Sequence, residues 1–223
     1  AQVRDYAVEL ATSLVRDHGA KLIVVACNTA AAVALDVLAS TLPVPVIGVV
    51  EPGARALVRV THNGKVGVIG TVGTIASGAY DKAVELTAAE VVLSSAACPG
   101  FVEFVERDQT EGDEVMLLAT QLLAPLKAAG VDSLLLGCTH YPYLAPVIQA
   151  VMGEGVVLVS SANETAFAVR DLLESQAIEA PAKAVGERHF YSSGDVDAFA
   201  RLGRRLLGPE LGSVSRWKKG TSS

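Results

Sequence analysis

Two stretches of this chain follow one plan, and that duplication limits the folds open to it more than any other feature. In Leu134-Leu135-Leu136-Gly137-Cys138-Thr139-His140-Tyr141-Pro142, three aliphatic residues and a glycine lead into a cysteine, a hydroxyl, an imidazole and a proline. In Leu22-Ile23-Val24-Val25-Ala26-Cys27-Asn28-Thr29, an aliphatic run and one small residue again lead into a cysteine and two polar side chains. Gly19 stands eight residues before Cys27, and Gly130 stands eight before Cys138. A second apolar run follows each cysteine at the same interval, at Val46 and at Val157. Each of those runs then meets a polar break with helix-start chemistry, Glu51-Pro52-Gly53-Ala54 in one and Ser160-Ser161-Ala162-Asn163-Glu164 in the other. The repeat implies two related α/β units, each delivering one thiol from the end of a buried strand.

The rest of the chain fits that plan. Val3, Tyr6, Ala7, Leu10, Leu14 and Val15 recur at three- and four-residue intervals and predict a helix over 1–18, stopped at Gly19. Further helices are predicted over 30–40, 54–60, 79–87, 113–129, 163–175 and 196–207, with one ending near 152. Strands are predicted at 22–26, 46–50, 65–71, 90–93, 156–159 and 189–194. Strands alternating with helices predict a mainly parallel sheet with ligands at the carboxyl ends of strands, where both cysteines fall. The opening helix has no strand before it and the chain has no initiator Met. A preceding segment is therefore expected.

Composition removes several classes of function. A hydrophobic content of 51% over 223 residues can fill one large or two small domains. Charged residues at 19% and a net charge of −6 argue against a disordered chain and against a nucleic-acid surface, which draws on clustered Lys and Arg. The basic group Arg216-Trp217-Lys218-Lys219 reads as a solvated end. Three cysteines cannot all pair within one chain, and no signal-type segment opens the sequence, so a reducing, cytoplasmic setting is expected. Asp36, Pro43 and Pro45 break the longest apolar stretches, so no membrane span is expected.

A lone cysteine after an apolar run is usually core. Two matched ones at strand-to-helix junctions, where backbone N–H groups and the helix dipole favour a thiolate, point to chemistry. Cys98 lacks such neighbours and reads as structural. Zinc would want four ligands at a recognisable spacing, and Cys27, Cys138 and His140 contain no C-x-x-C unit, so no metal is expected. A single-nucleophile hydrolase leaves the second matched cysteine unexplained. Thr71-Val72-Gly73-Thr74 carries a glycine pattern loosely like a nucleotide-binding turn, yet has neither Gly-x-Gly-x-x-Gly nor a Walker lysine. Its Thr71 and Thr74 hydroxyls either face the site or cap the loop. Two thiols from two pseudo-equivalent units suit the inversion of a stereocentre, since one face of a carbon loses a proton while the other gains one. The substrate is then expected to be small.

At this point Val25-Ala26-Cys27-Asn28-Thr29-Ala30 and Leu136-Gly137-Cys138-Thr139-His140-Tyr141-Pro142 resemble the paired signatures of the glutamate racemases, within the aspartate/glutamate racemase superfamily. Pro45 to Pro52, Val68-Ile69-Gly70-Thr71 and Ala97-Cys98-Pro99 with Phe101-Val102 extend the resemblance to residue 210 or so. The resemblance implies a cofactor-independent enzyme that makes D-glutamate for peptidoglycan. It implies two flavodoxin-like α/β domains with the site in the cleft between them, divided here as 1–50 plus 161–212, 51–160, and a tail from 213 to 223. It makes Cys27 and Cys138 the proton-transfer residues. Asn28, Thr29, Thr139 and His140 become partners of the substrate's amino and carboxylate groups, beside which the Thr71 and Thr74 hydroxyls are expected from the loop reading, and His140, backed by Glu106, tunes Cys138. Dimerisation is common in the family. Its Asp-Ser-Gly-x-Gly-Gly motif and Pro-Tyr-Gly loop have no counterpart in this sequence, so the chain is expected to begin after them. The alternatives are a racemase for aspartate or a hydantoin, and a non-catalytic protein-binding module such as a gyrase inhibitor.

Overall fold

A computed structural model describes residues 2–217. By internal contacts it divides into two compact units, one running to Ala177 and the other starting at Ile178.

The first unit opens with helix α1 (Gln2–His18), which ends at Gly19 with φ of +65°. Strand β1 (Ile23–Val25) follows, and its parallel partner β2 (Val46–Gly48) is reached through helix α2 (Asn28–Thr41). Helix α3 (Val50–Val60) leads to strand β3 (Lys65–Gly70). Two short helices, α4 (Val72–Ala76) and α5 (Ala79–Glu85), then connect to β4 (Val92–Ala97). Helices α6 (Phe101–Glu106) and α7 (Asp113–Ala129) precede β5 (Ser133–Gly137). A 3-10 turn at Tyr141–Leu144, helix α8 (Ala145–Met152), strand β6 (Val157–Val159) and helix α9 (Ala162–Ser175) complete the unit. Helix α7 stops at Gly130 with φ of +70°, matching Gly19 before β1. Only glycine occupies that left-handed region without steric cost, so both copies turn from helix to strand by one device.

The larger sheet has the order β4-β3-β5-β6, with every pair parallel. Taken in chain order this is 2-1-3-4, the flavodoxin-like doubly wound arrangement. Its two middle strands are closed to solvent on both faces: Val66, Val68, Leu134 and Leu135 are all at 0% exposure. That explains why they read as continuous aliphatic runs rather than alternating ones. The chain leaves β3 for β4 on one side and returns to β5 on the other. The switch point therefore lies between the carboxyl ends of β3 and β5, where doubly wound folds hold ligands.

In the second unit, β7 (Phe190–Ser192), helix α10 (Val196–Leu207) and β8 (Val214–Arg216) form a small parallel pair with its crossover helix. Asp195 caps α10 by accepting a hydrogen bond from the Ala198 N–H. Strand β8 lies in the stretch expected to be a tail, and Lys218 and Lys219 lie outside the described residues. The division into 1–50 plus 161–212 and 51–160 stays a proposal.

Two elements differ from their expected positions. Strand β4 runs over Val92–Ala97 rather than 90–93, because all six residues of β3 pair with it, from Lys65 opposite Val92 to Gly70 opposite Ala97. Pairing overrides the weak strand preference of Ser94 to Ala97. Helix α3 starts at Val50, ahead of the expected 54, with Pro52 in its first turn. No helix among the described residues is long and apolar enough to cross a membrane.

Candidate active site

Both matched cysteines stand just beyond the carboxyl end of a strand. Cys27 follows β1 as the N-cap of α2, in extended backbone, and is exposed. Its carbonyl accepts the first helical hydrogen bond, from the Ala31 N–H at 2.8 Å. Cys138 follows β5 at the switch point and is only 7% exposed. Gly137 before it is sterically required. A Cβ there would lie 2.6 Å from the Ile69 carbonyl oxygen and 3.1 Å from the Tyr80 ring.

Burial pushes the Cys138 thiol above its ordinary pKa, and negative charge on Cys27 pushes it the same way. The backbone N–H groups of His140 and Tyr141 and the Thr139 side chain act in the opposite sense. The net shift is upward, so Cys138 rests as a thiol at neutral pH with a thiolate-stabilising cradle already in place.

His140 stands between Cys138 and a carboxylate. Its Nδ1 is 3.9 Å from the Cys138 Sγ, at the outer limit of a sulfur hydrogen bond, and 3.4 Å from the Thr139 Oγ1. Its Nε2 is 3.5 Å from the Glu106 Oε1. Glu106, at the end of α6, is about half exposed at 52%. The histidine is held from both sides, so its ring orientation is set by partners on different elements.

Three hydroxyls close a ring on the Cys27 side. The Thr29 Oγ1 lies 2.9 Å from that of Thr71 and 3.0 Å from that of Thr74, and Thr71 and Thr74 are 2.9 Å apart. Thr71 also caps α4 by accepting from the Thr74 N–H at 3.2 Å. Thr71 thus caps a helix and also meets Thr29. Each hydroxyl carries one proton and two acceptor sites, so a ring of three can satisfy itself or turn its protons toward an incoming anion.

A cavity of about 470 Å³ has Asn28, Cys138 and Thr139 on its wall among small aliphatic side chains, while Cys27, His140 and the three ring hydroxyls do not line it. Ser160, Ser161 and Thr165 from the start of α9 also line it, and the sequence had not singled these out for a site. Tyr80 was missed as well. Its hydroxyl accepts a hydrogen bond from the Asn28 Nδ2 at 2.6 Å. A buried aromatic soon after the Thr71–Thr74 turn was the only local signal. Cys98 is 1% exposed, its thiol pushed up to about 12 by burial. Among the described residues no group of three or more His, Cys, Asp and Glu could hold a metal ion.

A doubly wound parallel fold with a buried cysteine at its switch point, and a second cysteine at the end of another parallel strand, has the architecture of an α/β enzyme. Comparison with known proteins narrows this. Residues 1–169 match the model of the Asp/Glu/Hydantoin racemase family. A glutamate racemase of Acidothermus cellulolyticus is 49% identical over 216 residues, covering 96% of this chain and 81% of the relative. Among solved structures, the glutamate racemase isoform RacE1 of Bacillus anthracis superposes with a TM-score of 0.91 at 39% identity, covering 97% of this chain and 80% of that one. The glutamate racemase of Francisella tularensis, solved with D-glutamate, gives 0.88 at 27% identity over 97% and 80% of the two chains. This chain belongs to the Asp/Glu/Hydantoin racemase family. It is an amino-acid racemase, an isomerase with the fold of the glutamate racemases.

Proposed function

We propose that this racemase interconverts L- and D-glutamate in the cytoplasm by moving the Cα proton between Cys27 and Cys138 without a cofactor, supplying D-glutamate for peptidoglycan. The observation that supports the reading is the placement of the two matched cysteines just beyond strand ends, with Cys138 buried at the switch point. A thiolate on one side of the substrate removes the Cα proton and leaves a carbanion delocalised into the carboxylate. The thiol on the other side then delivers its own proton to the opposite face, so configuration inverts and the two thiols exchange protonation states. With Cys138 resting as a thiol, it is the donor in the direction where Cys27 is the base. As its proton leaves, the His140 and Tyr141 N–H groups receive the new charge.

The substrate's charged groups fall to the flanking residues. Asn28, Thr29, Thr139 and His140 hold its amino and carboxylate groups. The hydroxyl ring of Thr29, Thr71 and Thr74 opens to donate to a carboxylate. His140, backed by Glu106, steadies Cys138 in either state.

Incubation with L-glutamate and separately with D-glutamate in D₂O tests this, following Cα-proton loss by NMR and optical rotation by circular dichroism. Exchange coupled to inversion is expected from both enantiomers, and Cys27→Ala and Cys138→Ala are each expected to abolish it. Inversion that survives either substitution would overturn the two-thiol mechanism. Faster turnover of aspartate or a hydantoin in parallel would reassign the substrate.

A further inference from the structure

We infer that Tyr80 is a positioning residue that ties the two cysteine loops to one another, an inference that rests on the two-thiol reading. Tyr80 lies in the first turn of α5, just after Gly78, whose φ of +66° turns the chain back from α4. It is 2% exposed. Its hydroxyl takes the 2.6 Å hydrogen bond from Asn28, the residue directly after Cys27, and Asn28 is itself 4% exposed. The other side of the same phenol abuts the residue directly before Cys138. The Tyr80 Cε2 and hydroxyl oxygen lie 3.1 and 3.3 Å from where a Gly137 Cβ would be. One buried phenol thus touches a neighbour of each thiol.

The contacts differ in kind, and the difference indicates what Tyr80 does. Against Gly137 it acts by shape, a flat ring filling the space that the missing side chain leaves. Against Asn28 it acts by direction. The Asn28 amide lines the cavity, and the bond to Tyr80 fixes the rotation of that amide. A buried amide released from its partner turns to find another, and loses the orientation it offered to a ligand. Burial, with charge on Cys138 adding to it, keeps the phenol from ionising. The hydroxyl therefore remains a neutral anchor across the working pH range. Because α4 carries Thr71 and Thr74 while α5 carries Tyr80, the segment after β3 governs both sides of the Cys27 loop.

Tyr80→Phe keeps the ring and deletes the anchor. In the D₂O assay its kcat/KM is expected to fall about 5- to 100-fold with both enantiomers, the range for loss of a buried hydrogen bond. The readout that separates positioning from mere stability is a double-mutant cycle with Asn28→Ala, run well below the melting temperature. If Tyr80 acts through Asn28, the double variant is no slower than Asn28→Ala alone. Multiplicative losses, or a Tyr80→Phe enzyme with wild-type kcat/KM, overturn the inference. Tyr80→3-fluorotyrosine keeps the hydroxyl acceptor at the same place and is expected to retain most of the wild-type kcat/KM. It also decides the matter if the Phe variant fails to fold, since a folded fluorotyrosine variant without activity would refute the anchor. Absence of exchange in the wild-type chain is a separate result, and counts against the two-thiol reading instead.

Discussion

Replacing Gly137 with alanine tests how tightly the Cys138 strand is held. The added Cβ would lie 2.6 Å from the Ile69 carbonyl oxygen, well inside van der Waals contact, and 3.1 Å from the Tyr80 ring. Neither neighbour moves freely. Ile69 is a central residue of β3 at 0% exposure, paired in register with Leu136, and Tyr80 is locked in the core. The strands must separate locally by a few tenths of an ångström. Overpacking of this kind costs about 1–3 kcal/mol, and rigid backbone on one side places Gly137→Ala at the upper end. The entropy lost by the unfolded chain on going from Gly to Ala returns about 0.4–1 kcal/mol, leaving a net loss of about 2 kcal/mol. For a chain of this size that lowers Tm by roughly 4–8 °C in a circular-dichroism melt. Cys138 shifts with the strand, and since a 1 Å misplacement costs about 10²-fold, kcat is expected to drop about tenfold. Gly155→Ala is the control, because nothing lies within 4 Å of its Cβ position. Equal Tm and kcat for the two variants would refute the steric argument.

Asp132 anchors the turn before β3 by accepting from the Thr61 hydroxyl at 2.6 Å and from the His62 and Asn63 N–H groups, each at 2.7 Å. Desolvation is the largest single effect and raises its pKa, but these bonds and the nearby His62 together outweigh it and hold the carboxyl below its usual value. Its contribution is therefore complete above the unfolded pKa of about 3.9 and is lost as pH falls through the lower folded value. Asp132→Ala is expected to cost about 1–2 kcal/mol in urea unfolding at pH 7, discounted because water reaches this turn, and the gap from wild type is expected to narrow as pH falls below the ordinary carboxylate range. A gap that persists there would refute the assignment. Cysteine alkylation followed by peptide mass spectrometry is expected to label exposed Cys27 first, Cys138 slowly, and Cys98 only on unfolding. Labelling of Cys98 as fast as Cys27 would contradict its burial.

The parts of the fold legible in the sequence were those written in local chemistry. An aliphatic run, a small residue and a cysteine specify a buried strand ending at a helix, and Gly19 and Gly130 mark the helix stops by their left-handed backbone. Strand β4 was misplaced because Ser94 to Ala97 carry no strand signal of their own and are strands only by pairing with β3. Tyr80 was invisible for a related reason. Its role depends on Asn28, 52 residues away, and on the space above Gly137, and neither relation leaves a periodic trace. Thr71 showed a hydroxyl in a loop, and only packing could reveal that one oxygen both caps α4 and meets Thr29.

The two copies are matched in sequence yet unlike in their surroundings, and the proposed reaction limits what that difference can do. Cys138 ends a five-residue strand buried along its whole length and paired on both sides, to β3 and to β6. Among the described residues, Cys27 is exposed and ends a three-residue strand paired to β2 alone. Enantiomers have equal free energy in water, so the equilibrium constant of a racemisation is one. The two directions must then share the same kcat/KM, whatever the environments of the thiols. A buried, reluctantly ionised Cys138 therefore cannot favour one product at equilibrium. It can only redistribute binding and turnover between the two directions, since any change in kcat must be matched by an equal change in KM. The rigid thiol and the accessible one thus divide binding and turnover differently between the enantiomers, while the overall reaction stays balanced.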